Sequence, residues 1–294
     1  MFQLHTLVLL AFSTAKVFAG LKDKLDYPDG LSGLFDIGFA NLTDSPLDTM
    51  DQWGDGWIPQ GCKDRFLASG YSAKDAQVFN VKYLDCDRAW TFCRHNKAEL
   101  SIDDMAMYFG KMPVHMRSLV RHPIALPQPE GCSAQAFTDI GDIVMYGPCN
   151  ASSVWVHETG HQLDSRLNSA TRFSATPEWT DALGYDSCVP DNYANTNVLE
   201  DFAQVVVIAA FNTLAGYKPP EAFKGCLDHR QGLLEENFRG THFSYWGTCD
   251  NRPDDSPIVS KASTKRDIRR TMNRANLTDD SNPAVVGPCF FDLK

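Results

Sequence analysis

The stretch Val154-Trp155-Val156-His157-Glu158-Thr159-Gly160-His161-Gln162-Leu163-Asp164 limits what this chain can fold into more than any other. It contains His-Glu-x-x-His, in which a helix puts two imidazoles four residues apart on one face, able to grip one metal ion together. Glu158 sits to one side of the pair, where a carboxylate can take a proton from a water that the metal holds. The flanks also read as helix. Ser152 and Ser153 can cap its start, and Val156, Gly160, Leu163 and Leu167 form an apolar stripe beside the histidines. One side then faces a core and the other a metal. The bland alternative is an ordinary buried helix with two incidental histidines, since the five-residue pattern arises by chance in long chains.

A second stretch, Tyr193-Ala194-Asn195-Thr196-Asn197-Val198-Leu199-Glu200-Asp201-Phe202-Ala203-Gln204, weighs against chance. Zinc in a catalytic site takes three protein ligands and keeps an open position. Glu200 is the candidate third ligand, and Asp201, displaced by one helical step, competes with it. An apolar run from Val205 to Leu214 follows and reads as a buried helix packed on the first, with Gly160 permitting close approach.

These residues resemble the zinc metallopeptidases whose third ligand is a glutamate, and within them the anthrax lethal factor-like branch. There the first helix reads His-Glu-x-Gly-His with an aspartate three residues on, as His157 to Asp164 does here. The second helix carries the glutamate ahead of a Phe-Ala pair, with a tyrosine seven residues before it, as in Tyr193 to Ala203. The resemblance covers residues 154 to 207. It implies His157, His161 and Glu200 as ligands of Zn2+, Glu158 as base and Tyr193 as donor to the oxyanion. It further implies an α+β, zincin-like fold with an active-site helix, a glutamate helix and a small sheet. One position departs: four residues after the glutamate such enzymes often carry an acid, and here stands Gln204. Its amide oxygen can still accept from a histidine N–H, but leaves the ligand less basic than a carboxylate would. Asp164, beyond the histidines on their face, can orient one of them as an outer acceptor or cap a neighbouring loop. The cysteine-rich whole also resembles fungal proteins of the conidiation-specific protein 13 type.

Met1 to Ala19 reads as a cleaved secretory signal, apolar around Leu7 to Phe12 and ending in small residues, and too short and interrupted to anchor in a membrane. Nine cysteines follow, at 62, 86, 93, 132, 149, 188, 226, 249 and 289. In an oxidising compartment most should pair, stabilising the fold, with one left over. Sequons at Asn41, Asn150 and Asn276 agree with a secreted, extracellular glycoprotein. The net charge is −10 and becomes −11 without Lys16 of the signal, which argues against nucleic acid and anionic membranes as partners.

With 294 residues, 43% of them hydrophobic, the chain can bury a large core. The expected division is the signal over 1–19, an irregular cysteine- and aromatic-rich region over 20–96, the zincin-like core over 97–250 and an extension over 251–294. Within it, Val78 to Leu84 reads as a strand and Asp87 to His95 as a short helix capped by Asp87, which would keep Cys86 from Cys93. Ser101 to Asp104 resembles a capping box opening a helix to Lys111, and Pro113 can open another through Val120. Ala134 to Thr138 and Asp142 to Met145 are short strands. The family resemblance makes Asp142 to Tyr146 the strand to which an extended substrate adds. Trp179 and Tyr185 either shape pockets or simply pack. The basic run Lys265 to Arg270 reads as a solvated helix face, with a processing site for a dibasic-cutting protease as the sharper alternative.

The expected function is a secreted zinc-dependent endopeptidase, acting as a monomer on peptide or protein substrates. Two alternatives stand beside it: a secreted binding or structural protein on the same scaffold without catalysis, and a metallohydrolase of non-peptide amides.

Overall fold

Val78 and Phe79 are neighbours in sequence yet belong to different cores. Side chains alternate across a strand. Phe79, Val81 and Tyr83 enter a large cluster with Trp155 and Val206, while Ala76 and Val78 enter a smaller one with Ile58, Cys62 and Phe66. The same split recurs at Ala125 against Ile124, and at Met145 against Val144. A sheet covered on both faces follows.

The computed structural model describes residues 20–34, 45–166, 171–214, 225–249, 251–262 and 289–291. The first half holds β1 (Leu47–Gln52), β2 (Trp57–Pro59), α1 (Gln60–Ala68), β3 (Ala76–Tyr83), β4 (Trp90–His95), α2 (Ile102–Gly110), α3 (Val114–Arg117), β5 (Pro123–Leu126), β6 (Cys132–Phe137) and β7 (Asp142–Tyr146). The second half adds α4 (Ser152–Arg166), α5 (Pro177–Tyr185), α6 (Val198–Leu214), α7 (Asp228–Phe238), β8 (Ile258–Ser260) and β9 (Cys289–Phe291). Seven strands form one sheet in the order β1-β3-β4-β5-β7-β6-β9, and β2 pairs with β8 apart from it. β4, β5 and β7 run parallel, and the remaining pairings are antiparallel. β5 is buried at all four positions, as a central strand covered on both faces must be. The large cluster lies between this sheet and the helices α4 and α6, and α1 closes the opposite face. The chain is therefore α+β and disulfide-stabilised.

Local signals explain several elements. Ser101 accepts from the Asp104 N–H at 3.0 Å while the Asp104 carboxylate accepts from the Ser101 N–H at 3.3 Å, a complete capping box at the start of α2. Met105, Met112 and Met116 fill the core. The helix expected from Pro113 stops at Arg117.

Other expectations are corrected. Asp87 to His95 is not a helix: Trp90 to Cys93 are aromatic or β-branched or small, fully or nearly buried, and pair with β3 on one side and β5 on the other. Tertiary burial overrides the capping signal of Asp87. The region expected to be irregular holds β1, β3 and β4, which belong to the main sheet. Asp142–Tyr146 lies between β5 and β6, so both its edges are already paired and no substrate strand can add there. Ser152 and Ser153 do not cap α4: both hydroxyls are buried without a hydrogen-bond partner among the described residues. Trp179 is fully buried and Tyr185 is exposed, so the first packs in the core.

Four disulfides join Cys62 to Cys93, Cys86 to Cys249, Cys132 to Cys149 and Cys188 to Cys226. Cys86 and Cys93 each take a distant partner, although the helix expected to keep them apart is a strand. The first bond staples α1 to β4, and the third ties β6 to the approach to α4. The ninth cysteine, Cys289, has its side chain outside the described residues, as do the signal, Asn41, Asn276 and the basic run from Lys265. Asn150 is exposed. No described helix is long and apolar enough to cross a membrane.

α4 and α6 pack against each other at Gly160, where a Cβ would meet the Ala203 Cα and the Val206 Cβ and Cγ1, each at 3.3 Å. Gly160→Val should force the helices apart and destabilise the fold by about 1–3 kcal/mol. Equilibrium denaturation reads this directly, and an unchanged midpoint would mean the contact is not tight.

Candidate metal centre

His157 and His161 lie one helical turn apart on α4 and are fully buried. The Nε2 atoms approach to 3.0 Å. Glu200 reaches them from the first turn of α6, whose start is fixed by Asn197: its Oδ1 accepts from the N–H groups of Leu199 at 2.9 Å and Glu200 at 3.1 Å. Glu200 Oε2 then stands 3.2 Å from each histidine Nε2. Ligand atoms placed 2.0–2.1 Å from a tetrahedral zinc are separated by about 3.3 Å. The three donors converge to nearly that triangle, and two imidazoles with one carboxylate are a donor set suited to zinc. The residues present fit the ion.

The electrostatics agree with mutual stabilisation. Burial works against the Glu200 carboxylate, and the two histidines outweigh it, holding the group well below the usual carboxylate range. Burial disfavours the His157 imidazolium, but hydrogen bonding to Glu200 and the charges of Glu158 and Glu200 reverse this and raise its pKa. Glu158 is fully buried beside His157, and its charge adds to the burial that raises the pKa of Tyr146. The Tyr193 ring packs against His157 with centroids 5.6 Å apart. Gln204 Oε1 accepts from His157 Nδ1 at 2.9 Å, so the expected outer partner is in place.

Two other candidates go elsewhere. Asp201 turns away from the histidines to the guanidinium of Arg230, which also binds Asp186 and the Cys188 carbonyl. Burial nevertheless pushes the Asp201 pKa up to about 6 against the pull of Arg230. Asp164 does not orient a histidine. Its oxygens accept from the Ser174 N–H at 2.7 Å and hydroxyl at 2.8 Å, which anchors the neighbouring loop, while His161 Nδ1 has no partner among the described residues. His122 is structural, held between the Thr91 carbonyl and Ser256. A second group of possible ligands, Asp26, Cys188 and Cys226, is unsuited to a metal because its cysteines are bonded to each other.

Sequence reasoning missed Asp191, which binds the far side of Gln204, and Arg230, which holds Asp201. No periodicity marks either one. Only the Pro190-Asp191-Asn192 turn signal ahead of Tyr193 points to a side chain bonding the local backbone.

The family model of conidiation-specific protein Con-13 matches residues 18–218, a span that contains every residue of this centre. The curated conidiation-specific protein 13 of Neurospora crassa is 32% identical over 180 residues, covering 60% of this chain and 52% of that protein. The chain thus spans about half the length of the curated relative it matches. No solved structure matches. The chain belongs to the conidiation-specific protein Con-13 family, a name that carries no chemistry.

Glu200→Gln should lower zinc affinity by more than the about 10–100-fold that loss of an outer hydrogen bond costs. Asp201→Ala should instead leave one buried Arg230 donor unsatisfied, with Asp186 still pairing the guanidinium, and cost about 1–3 kcal/mol of stability. Chelator competition and denaturation on both variants separate the two roles, and zinc affinity unaffected by Glu200→Gln would remove Glu200 from the ligand set.

Proposed function

We propose that this member of the Con-13 family is a secreted zinc-dependent endopeptidase with a zincin-like core. The observation that carries the reading is the convergence of His157, His161 and Glu200 within 3.0–3.2 Å, with a buried Glu158 next to the first histidine. The likeness of both helices to the lethal factor-like metallopeptidases supports it, as does a helix pair that backs the histidines with the glutamate. Four disulfides support an oxidising compartment.

Zinc, when bound, supplies Lewis acidity toward a scissile carbonyl and lowers the pKa of a water. Glu158 accepts the proton of the attacking water and delivers it to the leaving amine, so no covalent intermediate with the protein is needed. Burial beside two imidazoles gives that carboxylate a low-dielectric setting in which its charge acts strongly. Tyr193 is half-buried while the ligands are fully or almost fully buried, which makes its side the approach for substrate. From there its hydroxyl donates to the developing oxyanion. The ligand histidines must be neutral, and the neighbours of His157 hold its proton above the ordinary range. Cleavage therefore falls as the pH drops, and the fall begins above the ordinary imidazole value of about 6.5.

Cleavage of a diverse peptide library by the zinc-loaded protein tests the reading. Glu158→Ala should retain zinc and lose about 10²–10⁴-fold in rate, and Tyr193→Phe should lose about 10²–10³-fold in kcat. If the unmodified, zinc-loaded protein cleaves nothing, the catalytic reading fails and a binding role on the same scaffold replaces it.

A further inference from the structure

Gln204 has an acceptor at one end of its amide and donors at the other, so its orientation decides what it can offer His157. An oxygen facing Nδ1 requires a proton there, which leaves Nε2 with a lone pair directed at His161 and Glu200. An NH2 facing Nδ1 requires a lone pair there and moves the proton to Nε2, into the metal position. Gln204 alone has no preference between these.

Asp191 supplies one. Its Oδ2 lies 2.5 Å from Gln204 Nε2, and its Oδ1 accepts from the Ala194 N–H at 2.8 Å. Asp191 and Gln204 are both buried. A carboxylate accepts and does not donate, so the NH2 end of Gln204 must face it and the oxygen end must face His157, as the 2.9 Å contact to Nδ1 shows. We propose that Asp191 is a positioning residue which, through Gln204, holds His157 as the tautomer whose Nε2 is free to bind a metal. The carboxylate commonly found beside such a histidine has moved one residue further out, with an amide interposed. Because Asp191 also holds the Ala194 N–H, the same side chain ties the turn that bears Tyr193 to the histidine ligand. The inference extends the metal-centre reading and rests on it for its consequence for zinc.

Asp191→Asn is a discriminating substitution. The oxygen of the new amide can still accept from Ala194, so the turn is kept, but its NH2 confronts the NH2 of Gln204. The Gln204 amide must then reverse, and His157 must change tautomer. Adding Gln204→Glu exchanges amide and carboxylate along the chain. The carboxylate introduced on α6 accepts from the amide introduced on the turn and from His157 Nδ1 together, and the metal-binding tautomer returns. A purely structural Asp191 would show no such rescue.

The experiment uses the full secreted chain, ¹⁵N-labelled at histidine, in metal-free form at a pH high enough for the His157 ring, whose pKa its neighbours raise, to be neutral. Ring ¹⁵N shifts should report Nδ1–H at His157 in the unmodified protein, a shift toward Nε2–H in Asp191→Asn and recovery in Asp191→Asn/Gln204→Glu. Zinc affinity by chelator competition should fall about 10–100-fold in Asp191→Asn and recover in the double variant. An unchanged tautomer in Asp191→Asn, or a double variant no better than the single one, overturns the proposal. If the tautomers respond as stated but the unmodified protein holds no zinc, the metal-centre reading falls and this inference stands.

Discussion

Backbone contact between α4 and α6 at Gly160 sets every distance in the centre. The histidines project from one helix and Glu200 and Gln204 from the other, so the spacing of the axes determines whether the donors meet. Glycine at the crossing lets Ala203 and Val206 come so near that a Cβ on residue 160 would meet them at 3.3 Å, closer than ordinary contact. A wider crossing would leave Glu200 short of the imidazoles, and the buried histidines and glutamate would lose their contacts with each other. Packing and polar satisfaction therefore depend on a single missing side chain.

The centre is one of two buried polar networks on α6. One residue beyond Glu200, Asp201 points to another side of the helix and meets Arg230 of α7, which also binds Asp186 and the Cys188 carbonyl. Adjacent carboxylates thus serve different partners because a helix rotates about 100° per residue. A buried ion pair contributes little net stability over apolar packing, and its value lies in fixing one arrangement. Here that arrangement orients the start of α6, and with it Glu200, against both α4 and α7.

The sequence made the centre legible where chemistry is local in the chain. The four-residue interval of His157 and His161 needs only a helix to become a site, and the capping box at Ser101 needs only its own turn. Legibility failed where distant chain decides. Trp90 to His95 carries a capping aspartate ahead of it and becomes a strand because β3 and β5 lie on either side. Asp142–Tyr146 reads as a strand but its place within the sheet, between β5 and β6, is set by the whole topology. Asp164 shares the face of the histidines, and proximity to Ser174 claims both of its oxygens. Asp191 lies thirteen residues before Gln204 across a turn, a separation no pattern rule connects.

β9 pairs with β6 along Cys132, Ser133 and Ala134. β6 contains no charged residue, whereas β1, at the other margin of the sheet, carries Asp48 and Asp51. Charge on an outer strand discourages pairing with another molecule, and a neutral strand lacks that protection. The segment at 289–291 therefore acts as a cover for a surface that would otherwise recruit foreign strands. Clipping of the chain ahead of it would threaten colloidal behaviour before it threatened the packing between α4 and α6.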